Sequence, residues 1–167
     1  MKKITFALAV LAAFLLCLAP RAQAGSASTN LSVSVDVDDA CFISTSPVTF
    51  PVYSPIGANA TSPDDSTGGS VTITCTVGTV STIGLGAGSY ALAGQSRMQN
   101  SSSHFLNYSL YQDSSHTTVW GNTSPSWLSV AAAPTTDPRT YPVYARIPGG
   151  QSGSGHFSDN VQATVNF

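Results

Sequence analysis

Glutamate is absent from this sequence, and its only lysines are Lys2 and Lys3. Charged residues make up 8% of 167 positions, with no basic run anywhere. Nucleic acid and anionic membrane surfaces are held by clustered Lys and Arg, so neither is expected as a partner. Beyond residue 24 no stretch carries apolar residues at helical spacing, which argues against the helical fold classes. The signatures of common chemistry are missing as well. There is no Gly-x-Ser-x-Gly turn and no His-x-His or His-x-x-x-His ligand pair. No phosphate-cradling glycine loop stands ahead of a helix.

What is present begins with a leader. Lys2 and Lys3 precede an apolar run from Ile4 to Leu18, followed by Pro20 and the small-residue site Ala22-Gln23-Ala24. This is the pattern of a secretory signal peptide, with cleavage expected after Ala24. The run falls short of the roughly 20 residues that span a bilayer. Cys17 raises the alternative of a lipoprotein signal, but Leu16 before it is bulky where a small residue is needed. The expected organisation is therefore a signal peptide over 1–24 and a mature chain over 25–167. That mature chain keeps Arg97, Arg139 and Arg146 against eight aspartates, a formal charge of −5.

The mature length suits one domain, and its abundant Ser, Thr, Gly and Val favour β structure. Cys41 and Cys75 remain in a chain bound for an oxidising compartment and are read as a disulfide. Closing a loop of about 34 residues is worth roughly 3–4 kcal/mol on the chain-entropy model. Two buried thiols are the alternative. A metal site is disfavoured because nothing pairs with either cysteine at ligand spacing.

The most regular segment opens the mature chain. Leu31, Val33, Val35 and Val37 fall on one face and Ser32, Ser34, Asp36 and Asp38 on the other, which is strict strand period. Burying four such side chains is worth roughly 1.5–3 kcal/mol each. The strand needs a groove, in its own molecule or in the next one.

Downstream, residues 41–52 are apolar at intervals and interrupted by Pro47 and Pro51, as in an edge or bulged strand. Residues 54–69, rich in Pro, Gly and Asp, predict a loop. Val71, Ile73, Cys75 and Val77 alternate with threonines, a clear strand. Further strands are expected over 79–85, at Arg97-Met98, over 105–111, at Val119-Trp120, and over 127–131, 141–147 and 157–167. Seven to nine short strands separated by turns point to a β-sandwich or barrel.

The remaining candidates for chemistry have simpler readings. His104, His116 and His156 read as surface loop residues, and the pairs Asp38-Asp39 and Asp64-Asp65 sit in or beside loops, so a hydrolase is not supported. Trp120, Trp127, Tyr108, Tyr111, Tyr141 and Tyr144 fit core or cross-strand pairs better than sugar stacking. Asn30, Asn59, Asn100, Asn107 and Asn122 lie in Asn-x-Ser/Thr triplets, which arise by chance in a chain so rich in Ser and Thr. No cofactor and no enzymatic activity are expected.

Three features carry a family resemblance. One is the alternating strand ending at Val37, four residues before Cys41. Another is Leu106-Asn107-Tyr108-Ser109-Leu110-Tyr111-Gln112-Asp113 leading to Trp120-Gly121. The third is Tyr141-Pro142-Val143-Tyr144-Ala145-Arg146-Ile147-Pro148, followed by Gln151, Gly155, Phe157-Ser158-Asp159 and the terminal run from Val161. Together they span nearly the whole mature chain, which resembles the spore coat protein U family, secreted domains that build archaic chaperone–usher pili.

The resemblance implies an incomplete immunoglobulin-like β-sandwich that lacks its final strand, with an N-terminal donor strand over 25–39 and a pilin domain over 40–167. Leu31, Val33, Val35 and Val37 would be the donor residues. Val161, Ala163, Val165 and Phe167 would line one edge of the acceptor groove, and Cys41–Cys75 would be its stabilising disulfide. Partners would be a periplasmic chaperone, an outer-membrane usher and neighbouring pilin subunits, with assembly at the cell surface in adhesion or biofilm formation. A single domain with its own donor strand would serve as a shaft or connecting subunit. The rival reading is a self-contained secreted binding or coat module that folds residues 31–37 into its own groove.

Overall fold

A computed structural model describes residues 23–66 and 68–167. The expected signal peptide lies outside the described residues except for Gln23 and Ala24. The chain divides between Asp36 and Val37. Residues 23–36 carry no regular secondary structure and are exposed. The strand expected over Leu31 to Val37 is therefore not formed: alternation prepares a segment to pair, but a strand exists only beside a partner that takes its N–H and C=O groups.

The second unit is all-β. Its strands are β1 (Cys41–Ser46), β2 (Asp64–Asp65), β3 (Ser70–Cys75), β4 (Ser81–Leu85), β5 (Ser96–Gln99), β6 (Phe105–Tyr111), β7 (Leu128–Val130), β8 (Arg139–Pro142), β9 (Tyr144–Ile147) and β10 (Ala163–Asn166). They form three antiparallel ladders in the orders β1-β3-β8, β10-β4-β7 and β2-β9-β6-β5. Strand period places the core: β3 buries Val71, Ile73 and Cys75, β6 buries Leu106, Tyr108 and Leu110, and β9 buries Ala145 and Ile147. Trp120 is buried among them and donates its indole N–H to the Ile83 carbonyl at 2.8 Å. A sandwich core with this alternation is what the turn-separated short strands predicted.

The single strand expected over 141–147 is two strands in different ladders. β8 pairs with β3 and β9 with β6, and between them Val143 N–H donates to the Gly69 carbonyl at 3.0 Å. Pro142 has no N–H to carry the first ladder further, so the chain crosses between sheets there and drops Val143 into the core.

The expected loop over 54–69 contains structure. A 3-10 turn at Ala58–Ala60 is held by the buried Asn59, whose Oδ1 accepts from Ser54 N–H at 2.8 Å and whose amide donates to the Ser62 and Pro63 carbonyls. β2 then pairs with β9, setting Asp65 opposite Arg146. Arg146 Nε and Nη2 donate to the two Asp65 oxygens at 2.6 and 2.9 Å. Two residues are too few for periodicity to register, so no sequence pattern marks β2.

His116 is corrected from a surface loop residue to a packed one. Its side chain is 7% exposed, and its ring lies edge-on to Tyr111 at 5.1 Å and to Tyr144 at 6.4 Å. The turn that folds it back is capped by Asp113, which accepts from Thr117 N–H at 3.1 Å and from Thr118 N–H at 2.6 Å. Those donors hold the Asp113 carboxyl at a pKa of about 2.

The Asp65 carboxyl is held below the usual range, first by its bonds to Arg146, with the His116 ring nearby at 3.6 Å. A depressed carboxylate stabilises the fold above its unfolded pKa and loses that contribution as pH falls through the folded value. Asp65 is about half exposed, so the pair is worth no more than about 1 kcal/mol. We expect Asp65→Asn to lower the thermal midpoint slightly at neutral pH and to match the parent in strong acid. A difference that persisted in acid would show that β2 packing, not charge, holds the pair.

Candidate functional site

The core is not closed on all sides. A cleft of about 870 Å³ opens between residues 45–53, which follow out of β1, and residues 153–161, which lead into β10. Its floor is made of core side chains themselves: Val71, Leu85, Leu106, Leu110, Val143 and Ile147. Val48 and Phe50 form one wall, and Phe157, Val161 and Ala163 form the other. Apolar side chains that a closed sandwich would bury are reachable from solvent through this gap.

The backbone is unfinished at the same place. Among the described residues β1 is the end strand of its sheet, paired with β3, and β10 is the end strand of its own, paired with β4; the two end strands lie beside each other with no ladder between them. Each presents an outer row of backbone N–H and C=O groups, and Pro47 and Pro51 interrupt the wall that follows β1. Such an edge is a template for another strand. Along β10, Ala163 and Val165 pack on the core while Thr164 and Asn166 are exposed, so an added strand would meet an edge with one apolar face.

A polar brace holds one side of the cleft. Asp159 Oδ2 accepts from the Tyr108 hydroxyl at 2.7 Å, and Oδ1 accepts from the backbone N–H groups of Ser89 at 2.9 Å and Asn160 at 2.8 Å. Gly88, at a φ of 92°, lies so close to this carboxylate that any Cβ would overlap it. Burial, and then the hydrogen bond to Asp159 and its charge, push the Tyr108 phenol well above its usual range, so it remains a donor. Gln151 supports the neighbouring edge, accepting from Asn107 N–H at 2.7 Å and donating to the Asn107 carbonyl at 2.9 Å. Tyr53, on the cleft wall, donates to the Pro148 carbonyl at 2.9 Å and accepts from Gln151 N–H at 3.1 Å. We expect Asp159→Ala to cost about 1–3 kcal/mol, since it orphans the buried Tyr108 hydroxyl. Tyr108→Phe should cost less, about 0.5–1.5 kcal/mol. Denaturant titration of both variants checks the ranking, and equal costs would contradict the brace.

Of the expected groove-edge residues, Val161 and Ala163 line the cleft, Val165 packs on the core outside it, and Phe167 is exposed. The expected donor residues Leu31, Val33, Val35 and Val37 are 87, 88, 83 and 76% exposed. Cys41 and Cys75 are joined by a disulfide at facing positions of the β1–β3 ladder. The edge or bulged strand expected over 41–52 forms only as β1, and the strand expected over 157–167 only as β10; sequence reasoning did not foresee that the residues beside them form the cleft walls.

Asn59 and Asn100 are buried and spend their amides on loop backbone, Asn100 accepting from Ser102 and His104 N–H and donating to the Ser154 carbonyl. Asp64 is pushed up by burial and by its neighbour while Asp65 is pulled down. This is no acid–base pair, because Arg146 occupies both Asp65 oxygens. Among the described residues no three His, Cys, Asp or Glu side chains are grouped to hold a metal ion.

Comparison with known proteins agrees with this architecture. The chain is 34% identical to Protein U of Myxococcus xanthus over 169 residues, covering 93% of each sequence. Among solved structures it is similar, at a TM-score of 0.57 and 22% identity, to a chain of the CsuC–CsuE complex. That structure is a chaperone–tip adhesion subunit pre-assembly complex from the archaic chaperone–usher Csu pili of Acinetobacter baumannii. The match takes in 78% of this chain but only 40% of that one, and it supports the fold: an incomplete immunoglobulin-like β-sandwich. The sequence model of the Spore Coat Protein U domain matches residues 27–164, so this chain belongs to the spore coat protein U domain family.

Proposed function

We propose that this protein is a structural, non-enzymatic subunit of a surface pilus assembled by donor-strand exchange and serving adhesion or biofilm formation. The observation that carries the reading is a single chain holding both halves of a contact. One half is a cleft floored by core side chains. The other is a segment with four exposed apolar side chains at strand period. Inserting residues 31–37 of one copy into the cleft of the next buries Leu31, Val33, Val35 and Val37, worth roughly 6–12 kcal/mol at about 1.5–3 kcal/mol per side chain. The inserted backbone pairs with the open edges of β1 and β10, and alternate side chains set the register. Such a contact is head-to-tail and repeats into a filament.

In transit through the periplasm the same cleft is filled by a chaperone strand, which an outer-membrane usher exchanges for the next subunit's segment. The test is periplasmic expression of the mature chain with and without an archaic-type chaperone, followed by size exclusion. We expect poor recovery alone, a one-to-one complex with the chaperone, and a ladder of polymers on release. A stable monomer recovered without any chaperone would replace this reading with the self-contained coat or binding module.

A further inference from the structure

We propose that the β3–β4 turn is a second contact surface in the polymer, seated against the cleft rim of a second copy of this chain. The inference rests on the donor-strand reading and adds a constraint from chain connectivity. Residues 38–41 are clamped to this turn. Thr76 N–H donates to the Ala40 carbonyl at 2.9 Å, Thr76 Oγ1 accepts from Ala40 N–H at 3.2 Å, and Thr79 Oγ1 donates to Asp39 Oδ1 at 2.6 Å. The Asp38 carbonyl lies 3.4 Å from Thr76 Oγ1, and the Cys41–Cys75 disulfide fastens the next residue to the end of β3.

Val37, the last apolar residue of the donor segment, directly precedes this clamp, and consecutive Cα atoms are about 3.8 Å apart. No slack residue separates a side chain seated in the neighbour's cleft from a backbone bonded to this domain. The two domains must therefore touch where the donor leaves the cleft. The surface brought there suits a contact: Val77 and Val80 are 57 and 65% exposed, and residues 76–80 carry no charge. A second copy is the occupant because this chain carries both the segment and the cleft that receives it.

The test uses full mature chains carrying Val80→Cys, an exposed position, labelled with a maleimide. One label per chain in the chaperone-held monomer establishes that Cys41 and Cys75 remain paired. We expect labelling to slow at least tenfold in purified polymers. Inserting six Gly/Ser residues between Val37 and Asp38 should leave polymers forming but return labelling to the monomer rate. Equal rates in uninserted polymer and monomer would overturn the contact while leaving donor-strand exchange intact. Protection in the chaperone complex but not in the polymer would overturn it in favour of a chaperone surface. Failure of the parent chain to polymerise would overturn both readings.

Discussion

Replacing Val33 and Val35 together with Asp is expected to abolish polymerisation while leaving the chaperone–subunit complex at normal yield. Both side chains are exposed in the isolated chain, at 88 and 83%, so the substitution disturbs no packing there. In the polymer the same positions would face a floor of Val, Leu and Ile in a cleft whose lining residues include no Lys or Arg. Each then carries a desolvation penalty of several kcal/mol on top of the lost apolar burial. Even about 4 kcal/mol is a factor of roughly a thousand in an association constant, since each 1.4 kcal/mol is tenfold. Ser32→Ala with Ser34→Ala, on the opposite face, should polymerise nearly as the parent does. The readout is the polymer ladder and electron microscopy beside recovery of the chaperone complex. If the Asp variant instead destabilises the chaperone-free domain by several kcal/mol, residues 31–37 belong to its own sandwich and the pilus reading loses its mechanism.

The second large effect is expected from Cys41→Ser, Cys75→Ser or both. The disulfide ties β1 to β3, and β1 is an end strand whose other side borders the open edge. Apart from the disulfide, β1 is held by its one ladder, by the partly buried Ile43 on the core and by its contact with β10. Phe42, on the outward face of β1, is largely exposed and adds no burial. Removing a native disulfide from a small secreted domain costs about 2–5 kcal/mol, a large share of a net stability of about 5–15 kcal/mol. We expect reduced periplasmic yield, and protease sensitivity that starts within residues 41–53. Chaperone binding should rescue part of the yield by filling the cleft and bracing β1. A double variant that accumulates and polymerises like the parent would show that the bond is dispensable.

Much of this was legible from the residues alone, and the reason is local. Strand period depends only on a residue and its near neighbours, so Val71-Ile73-Cys75 and Leu106-Tyr108-Leu110 declare their buried faces without reference to the rest of the chain. The same holds for Leu31 to Val37, whose alternation shows that it is built to pair. Only the folded structure shows that residues 31–36 carry no regular secondary structure. The expectation of export to an oxidising compartment, with two cysteines remaining, was enough to expect the Cys41–Cys75 bond.

What depends on distant neighbours was not legible. β2 exists only through its ladder with β9, where Asp64 meets Ile147 and Asp65 meets Arg146. The break at Pro142 became a crossing between sheets only because β3 and β6 stand on either side of it. His116 looks like a loop residue until the Asp113 turn folds it between Tyr111 and Tyr144. The cleft belongs to the same class: it is a gap between elements, and no residue pattern records the absence of a neighbouring strand. By itself the sequence determined a β domain with two cysteines placed to pair and one apolar segment at strand period, and it led to the expectation of export. Only tertiary packing could decide where the domain stays open, because a vacancy in a core is a property of how strands assemble and of no single strand.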